Sequence, residues 1–148
     1  MNWTYRTLRY VAPSEVRVVI LGQGPYLTAV VLREVETSGF VRPQDLSLEG
    51  WAEQGVLLLN TRLGMSRAGP VTTLLDQLPD KPIIWLAWGA EAQRVAQRHA
   101  KPSHHVLATS HPTRGSRHTQ TFVGSRCFAV ANEWLVAHER APVDWSWR

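Results

Sequence analysis

The sequence predicts an α/β fold: a three-layer sandwich around a central four-stranded, mostly parallel sheet. Three observations predict it. Four short apolar runs, rich in β-branched residues and closed by chain breakers, have the character of strands buried on both faces. Stretches of helical character separate them. Strand and helix alternate along the chain, which is the order of crossover connections and therefore of parallel strands.

In chain order, the first strand covers residues 16–21 and is closed by Gly22, and a helix follows at about 29–37. A second helix at 47–54 leads through Gly55 into a strand at 56–59, which ends before Asn60. A helix at 72–78 precedes the most apolar strand, 83–88, set between Pro82 and Gly89. A helix at 90–98, a strand at 105–109 closed by Ser110, and a last helix at 126–138 complete the pattern. In such folds ligands gather outside the carboxyl ends of the strands. The loops leaving those ends, 22–28, 60–71, 89–90 and 110–125, hold most of the polar residues of interest. Gly22 and Gly55 read as turn glycines. The tail, 141–148, is expected to pack Trp145 and Trp147 against the body.

At 148 residues and 44% hydrophobic, the chain suits one domain, 1–148, with one continuous core. It shows no internal repeat, linker or low-complexity segment. Its longest apolar runs fall far short of the roughly 20 residues that a membrane span needs, and residues 1–11 lack the apolar stretch of a secretory signal. The lone cysteine, Cys127, cannot form an internal disulfide and reads as a small buried helix residue. These features set the expectation of a soluble cytoplasmic protein, associated with the nucleoid. Net charge is +4, but between Glu91 and Glu133 no Asp or Glu occurs. That stretch carries Arg94, Arg98, Lys101, Arg114, Arg117 and Arg126 along with five histidines. A one-signed surface of this kind suits a polyanion such as DNA. Fourteen of the sixteen basic residues are Arg, which fits either phosphate recognition or a GC-rich genome.

Four segments, each after an expected strand and in the same order, resemble the signature loops of the family 1 uracil-DNA glycosylases. Gly22-Gln23-Gly24-Pro25-Tyr26-Leu27 is similar to the water-activating loop, whose family pattern is G-Q-D-P-Y-H. Residues 50–60, ending in Leu58-Leu59-Asn60, resemble the helix and strand that present the uracil-reading Asn. Residues 85–93, with Trp88-Gly89-Ala90, resemble the Gly-Ser loop that grips the DNA backbone. Ser110-His111-Pro112-Thr113-Arg114-Gly115-Ser116 resembles the H-P-S-P-L-S loop, and Phe122-Val123-Gly124, Asn132-Glu133-Trp134-Leu135 and Pro142-Val143-Asp144-Trp145 continue the likeness to the end. It covers nearly everything from Val16 onward.

The resemblance implies excision of a flipped-out base from DNA by hydrolysis of its bond to the sugar. His111 would donate a hydrogen bond to the base O2 as charge develops there, a contribution of the oxyanion-hole type worth about 3 to 4 kcal/mol. Asn60 would read the O4 and N3 edge, where an amide offers both acceptor and donor. Gln23 would meet the base through its backbone, with Pro25 beside it, and Tyr26 would stand against carbon 5 and reject a thymine methyl. Ser66, Gly89, Ala90, Ser110, Thr113, Arg114, Gly115, Ser116, Arg117 and His118 would contact the DNA, mostly its backbone, positioning without reading sequence. No cofactor and no metal is implied. The partner the resemblance implies is DNA, single- or double-stranded, and the protein is expected to be a monomer.

The departures are as informative. Gly24 stands where the family has the Asp that positions water and balances charge on the sugar. Leu27 replaces the family His, and the segment between Tyr26 and the helix at 29 is shorter than in the family, omitting the Phe on which uracil stacks. Phe40 belongs to a later segment, Gly39-Phe40-Val41-Arg42-Pro43. Gly115 takes the place of the Leu wedge that fills the duplex. Arg114 could fill that gap by stacking on the orphaned bases, or bind phosphate. Two readings follow: an active glycosylase of altered chemistry, on uracil or a modified pyrimidine, or a non-catalytic relative that binds DNA or a partner protein. Related branches with a non-acidic residue in the first motif remain active, and His111 and Asn60 persist together here, which favours the first.

Overall fold

The computed structural model describes residues 11–22, 29–43, 49–60, 70–112 and 120–146. They form a four-stranded sheet in the order β2-β1-β3-β4, with β1 at Val18–Gly22, β2 at Val56–Asn60, β3 at Ile83–Trp88 and β4 at His104–Thr109. All pairings are parallel. The helices are α1 (Ala29–Thr37), α2 (Glu49–Ala52), α3 (Pro70–Asp76), α4 (Ala90–His99) and α5 (Cys127–Ala137).

The three layers follow from the strands' lack of polar alternation. β1 and β3 are buried along their whole length, so every residue must find an apolar partner on one face or the other. On one face Val18, Ile20, Leu58, Ile84 and Leu86 pack with Val31 and Val35 of α1 and Phe128, Ala131 and Leu135 of α5. On the other, Val19, Leu21, Leu57, Leu59, Trp85 and Ala87 meet Leu75 and Leu78 beside α3 and Ala92, Val95 and Ala96 of α4. Each large aliphatic side chain buried this way contributes roughly 1.5 to 3 kcal/mol.

The element pattern expected from the sequence holds, with shifts at the ends that have local causes. β1 starts two residues later than expected because a 3-10 turn, Pro13–Glu15, precedes it and the N–H groups of Arg17 and Val18 both point at the Gly55 carbonyl. Gly55 is a turn glycine: its φ is +84°, and a Cβ there would lie 2.4 Å from the Glu15 carbonyl oxygen. Gly22 is not one. It is the buried last residue of β1, paired with Asn60. The segment after Gly39 carries Phe40 onto the core face shared with Trp51.

The tail packs as expected at Trp145, which is fully buried against Trp51 and Phe128, with the Trp51 indole donating to the Trp145 carbonyl. Asn132 holds Val143 by both its N–H and its carbonyl. Trp147 lies outside the described residues. Cys127 is buried, and burial pushes its thiol up to about 12, so it remains an inert thiol.

Candidate active site at the carboxyl edge of the sheet

Because all four strands run the same way, Gly22, Asn60, Trp88 and Thr109 end at one edge. The register makes the alignment explicit, with Gly22 opposite Asn60 and Trp88 opposite Thr109. The sequence order reverses between β1 and β3, the switch point at which such sheets open a crevice. Asn60, the half-buried last residue of β2, stands on one side of that point. Gly89 and His111 stand on the other.

Gly89 is fixed by three constraints. Its φ of +102° and ψ of 167° place it in a region essentially reserved for glycine. Its N–H donates to the Thr109 carbonyl at 2.9 Å. The position of its missing Cβ lies 3.6 Å from the His111 Cβ, so the backbone after β3 runs directly beneath the histidine. Gln93, one turn into α4, adds a second donor to the Thr109 carbonyl at 3.1 Å. The ends of β3, α4 and β4 are thereby tied around one carbonyl oxygen. No side chain caps α4, and its exposed first residue is Ala90. An uncapped N-terminus of this length presents N–H groups and a positive dipole end suited to a phosphate.

His111 is half-buried and Pro112 buried, and residues 120–122 lie beside the end of β4. Gln120 pairs with Thr109, and its carbonyl accepts the Ser110 N–H at 2.8 Å. The Ser110 hydroxyl accepts the Phe122 N–H at 3.0 Å and donates to the His111 carbonyl at 3.2 Å. Ser110, expected to touch DNA, is 3% exposed and has its hydroxyl engaged within the loop. Phe122 packs edge-on against Trp88 at 5.0 Å, which ties residues 120–122 to the end of β3.

Of the expected site residues, the structure brings Asn60, Gly89, Ala90, Ser110 and His111 to one edge. Gln23, Gly24, Pro25, Tyr26, Ser66, Thr113, Arg114, Gly115, Ser116, Arg117 and His118 lie outside the described residues. Sequence reasoning missed the supports: Gln93, Gln120, Phe122 and Glu34. Only Glu34 left a signal, an acid among Val31, Leu32 and Val35 on the buried stripe of α1. Among the described residues no three or more His, Cys, Asp or Glu are grouped to hold a metal ion, and no helix is long and apolar enough to cross a membrane.

A parallel sheet whose strand order reverses between β1 and β3 defines the class of α/β proteins whose ligands gather outside the carboxyl ends of the strands. Comparison with known proteins narrows that class. No family model matches the chain. The crystal structure of mimivirus uracil-DNA glycosylase superposes with a TM-score of 0.75 at 21% identity, covering 97% of this chain and 72% of that one. A variant of the mimivirus protein in complex with UGI gives 0.73 at 22% identity, covering 97% and 73%. The uracil-DNA glycosylase of Salmonella arizonae is 33% identical over an alignment that covers 96% of this chain and 77% of that relative. The one from Escherichia coli O157:H7 is 34% identical over an alignment that covers 95% and 77%. The chain belongs to the uracil-DNA glycosylase family, in its family 1 branch.

Proposed function

We propose that this chain is a DNA glycosylase that hydrolyses the bond between a flipped-out uracil, or a modified pyrimidine, and its sugar, with an active site that works without the usual carboxylate. The observation that carries this reading is the joint placement of Asn60 and His111 at the switch-point edge, with Gly89 held against the histidine. In that arrangement the Asn60 amide reads the O4 and N3 edge of the base, and His111 donates to O2 as the base leaves as an anion. Gln23, Pro25 and Tyr26 follow Gly22, whose Cα is paired with Asn60, and they complete the base pocket in this reading. The uncapped start of α4 at Gly89 and Ala90, with Ser66 and residues Thr113 to His118, holds the DNA backbone.

Gly24 supplies neither water positioning nor charge balance to the sugar. Stabilisation of the departing base therefore carries a larger share of the barrier than a general base, whose contribution is roughly 10² to 10⁴-fold. The expected enzyme is slow, and a cytoplasmic, nucleoid-associated monomer is the form in which it would act. The test is release of uracil from a single-stranded uracil-containing oligonucleotide by the purified chain, compared with His111→Ala. Slow release that the substitution abolishes supports the reading.

The simultaneous loss of the carboxylate at Gly24, of the stacking Phe and of the wedge at Gly115 supports a second reading, a non-catalytic relative that binds DNA or a partner protein. Tight DNA binding with no release of any pyrimidine, in the native chain and with Asp restored at position 24, would establish that reading instead.

A further inference from the structure

Glu34 is the one charged residue buried in α1, 2% exposed among Val31, Leu32 and Val35. Its two carboxylate oxygens each accept one backbone N–H: Oε1 from Gly124 at 2.8 Å and Oε2 from Arg126 at 2.7 Å. Both donors belong to residues in the left-handed region, Gly124 at φ +85° and Arg126 at +53°. That alternation turns two N–H groups toward one point and makes a concave site for an anion. Arg126 is also the N-cap residue of α5 and offers no side-chain cap of its own. Glu34 therefore caps α5 from another helix, where the dipole favours a negative charge. An acceptor-only carboxylate satisfies both donors, whereas an amide has a single acceptor oxygen.

The position of this tie in the chain gives it a consequence at the site. α1 begins directly after residues 23–28, the segment that holds Gln23, Gly24 and Tyr26. Residues 124–126 follow Phe122, whose N–H rests on the Ser110 hydroxyl next to His111. One carboxylate thus links α1 to the residues that follow Phe122 and, through Phe122, to Ser110 beside His111.

We propose that Glu34 is a positioning residue for His111: through residues 122–126 it sets the placement of the histidine relative to α1. For its catalytic consequence the proposal rests on the glycosylase reading, but the tie itself does not. The test is Glu34→Gln in the full chain, which keeps volume and removes one acceptor. Uracil release from a single-stranded oligonucleotide should show kcat lowered by about 10- to 100-fold, the scale of a small misplacement, with KM unchanged. Glu34→Asp, which keeps both acceptor oxygens on a shorter stem, should recover part of the loss, and it takes the place of the Gln variant should that fail to fold. In NMR spectra, the Gly124 and Arg126 amides should lose exchange protection and the His111 ring resonances should move. Those of His104, at the opposite end of β4, should stay. A wild-type chain that releases no uracil overturns the glycosylase reading alone, and the His111 resonances then decide the tie. A folded variant with unmoved His111 resonances overturns the proposal, as does a fall in kcat that only tracks the unfolded fraction.

Discussion

At the scale of single residues, glycine carries two opposite messages in this chain. Gly89 is required by its backbone: φ and ψ of +102° and 167° admit little else, while its Cβ position has only ordinary contact with His111. Gly89→Ala should therefore cost about 1 to 3 kcal/mol of stability through backbone strain. Thermal unfolding measures it, and an unchanged midpoint would show that the strand end relaxes freely. Gly24, by contrast, is notable for what glycine withholds. In the proposed site Gly24→Asp returns a carboxylate beside the sugar, and uracil release from single-stranded DNA should rise. The gain should sit near or below the low end of the roughly 10² to 10⁴-fold range of a general base, since the stacking Phe and Leu wedge are absent too. His111→Ala in that background should remove most of the gain. A rise that survives loss of His111 would mean the base is not held as proposed.

At the scale of elements, four strands and five helices were legible because apolar runs between breakers are a strong signal when both faces are buried. The ends were less legible, as hydrogen bonding from distant residues decides them. β4 starts at His104 rather than His105 because the His104 ring is itself a structural post. Its Nδ1 accepts from the Trp85 indole at 3.1 Å and the Lys101 N–H at 3.0 Å, and its Nε2 donates to the Pro79 carbonyl at 2.8 Å. A ring with donors on one nitrogen and an acceptor on the other is neutral, and burial holds its pKa below the ordinary histidine value, opposed by the hydrogen bond to the Pro79 carbonyl and by Asp80 and aided by Lys101. Protonation therefore favours the unfolded chain, where histidine titrates near about 6.5. The stabilisation is complete above that pH and falls away as pH drops from there through the lower folded value. The melting temperature should decline on acidification across this window. His104→Gln should melt lower at pH 8 and lose that part of the decline. An equal decline in the variant would assign it to other groups.

The site was legible in a different way. As candidates, His111, Asn60 and Gly89 stand out by their place at or just after strand ends and by family likeness. The supports around them do not, because Gln93, Gln120 and Phe122 are ordinary residues whose role exists only once β3, β4 and α4 meet at the Thr109 carbonyl.

For the whole molecule, the question is which of sixteen basic side chains are free to meet DNA. Several are not. Arg17 spends its guanidinium on the carbonyls of Gln54, Ala141 and Pro142, and Arg140 on those of Val16 and Pro82, which ties the tail to the edge of the sheet opposite the candidate site. Burial lowers the pKa of both, and for Arg17 the neighbouring charge of Arg140 adds to it. Lys101 donates to the carbonyls of Asp76 and Leu78, and Arg42 pairs with Glu36. By contrast, Arg94 and Arg98 are exposed in the acid-free stretch, whose sequence also includes Arg114 and Arg117. Binding to single-stranded DNA should therefore be largely independent of sequence and weaken by roughly 10- to 1000-fold between about 50 and 200 mM salt. Removing one phosphate contact with Arg117→Ala should lower affinity evenly across sequences and flatten the salt slope by about one unit. Arg140→Ala should do neither, yet lower thermal stability, because its charge serves two carbonyls rather than a phosphate. Isothermal binding across a salt series separates the two: a flattened slope in the Arg140 variant, or an unchanged one in the Arg117 variant, would overturn this division of the basic residues.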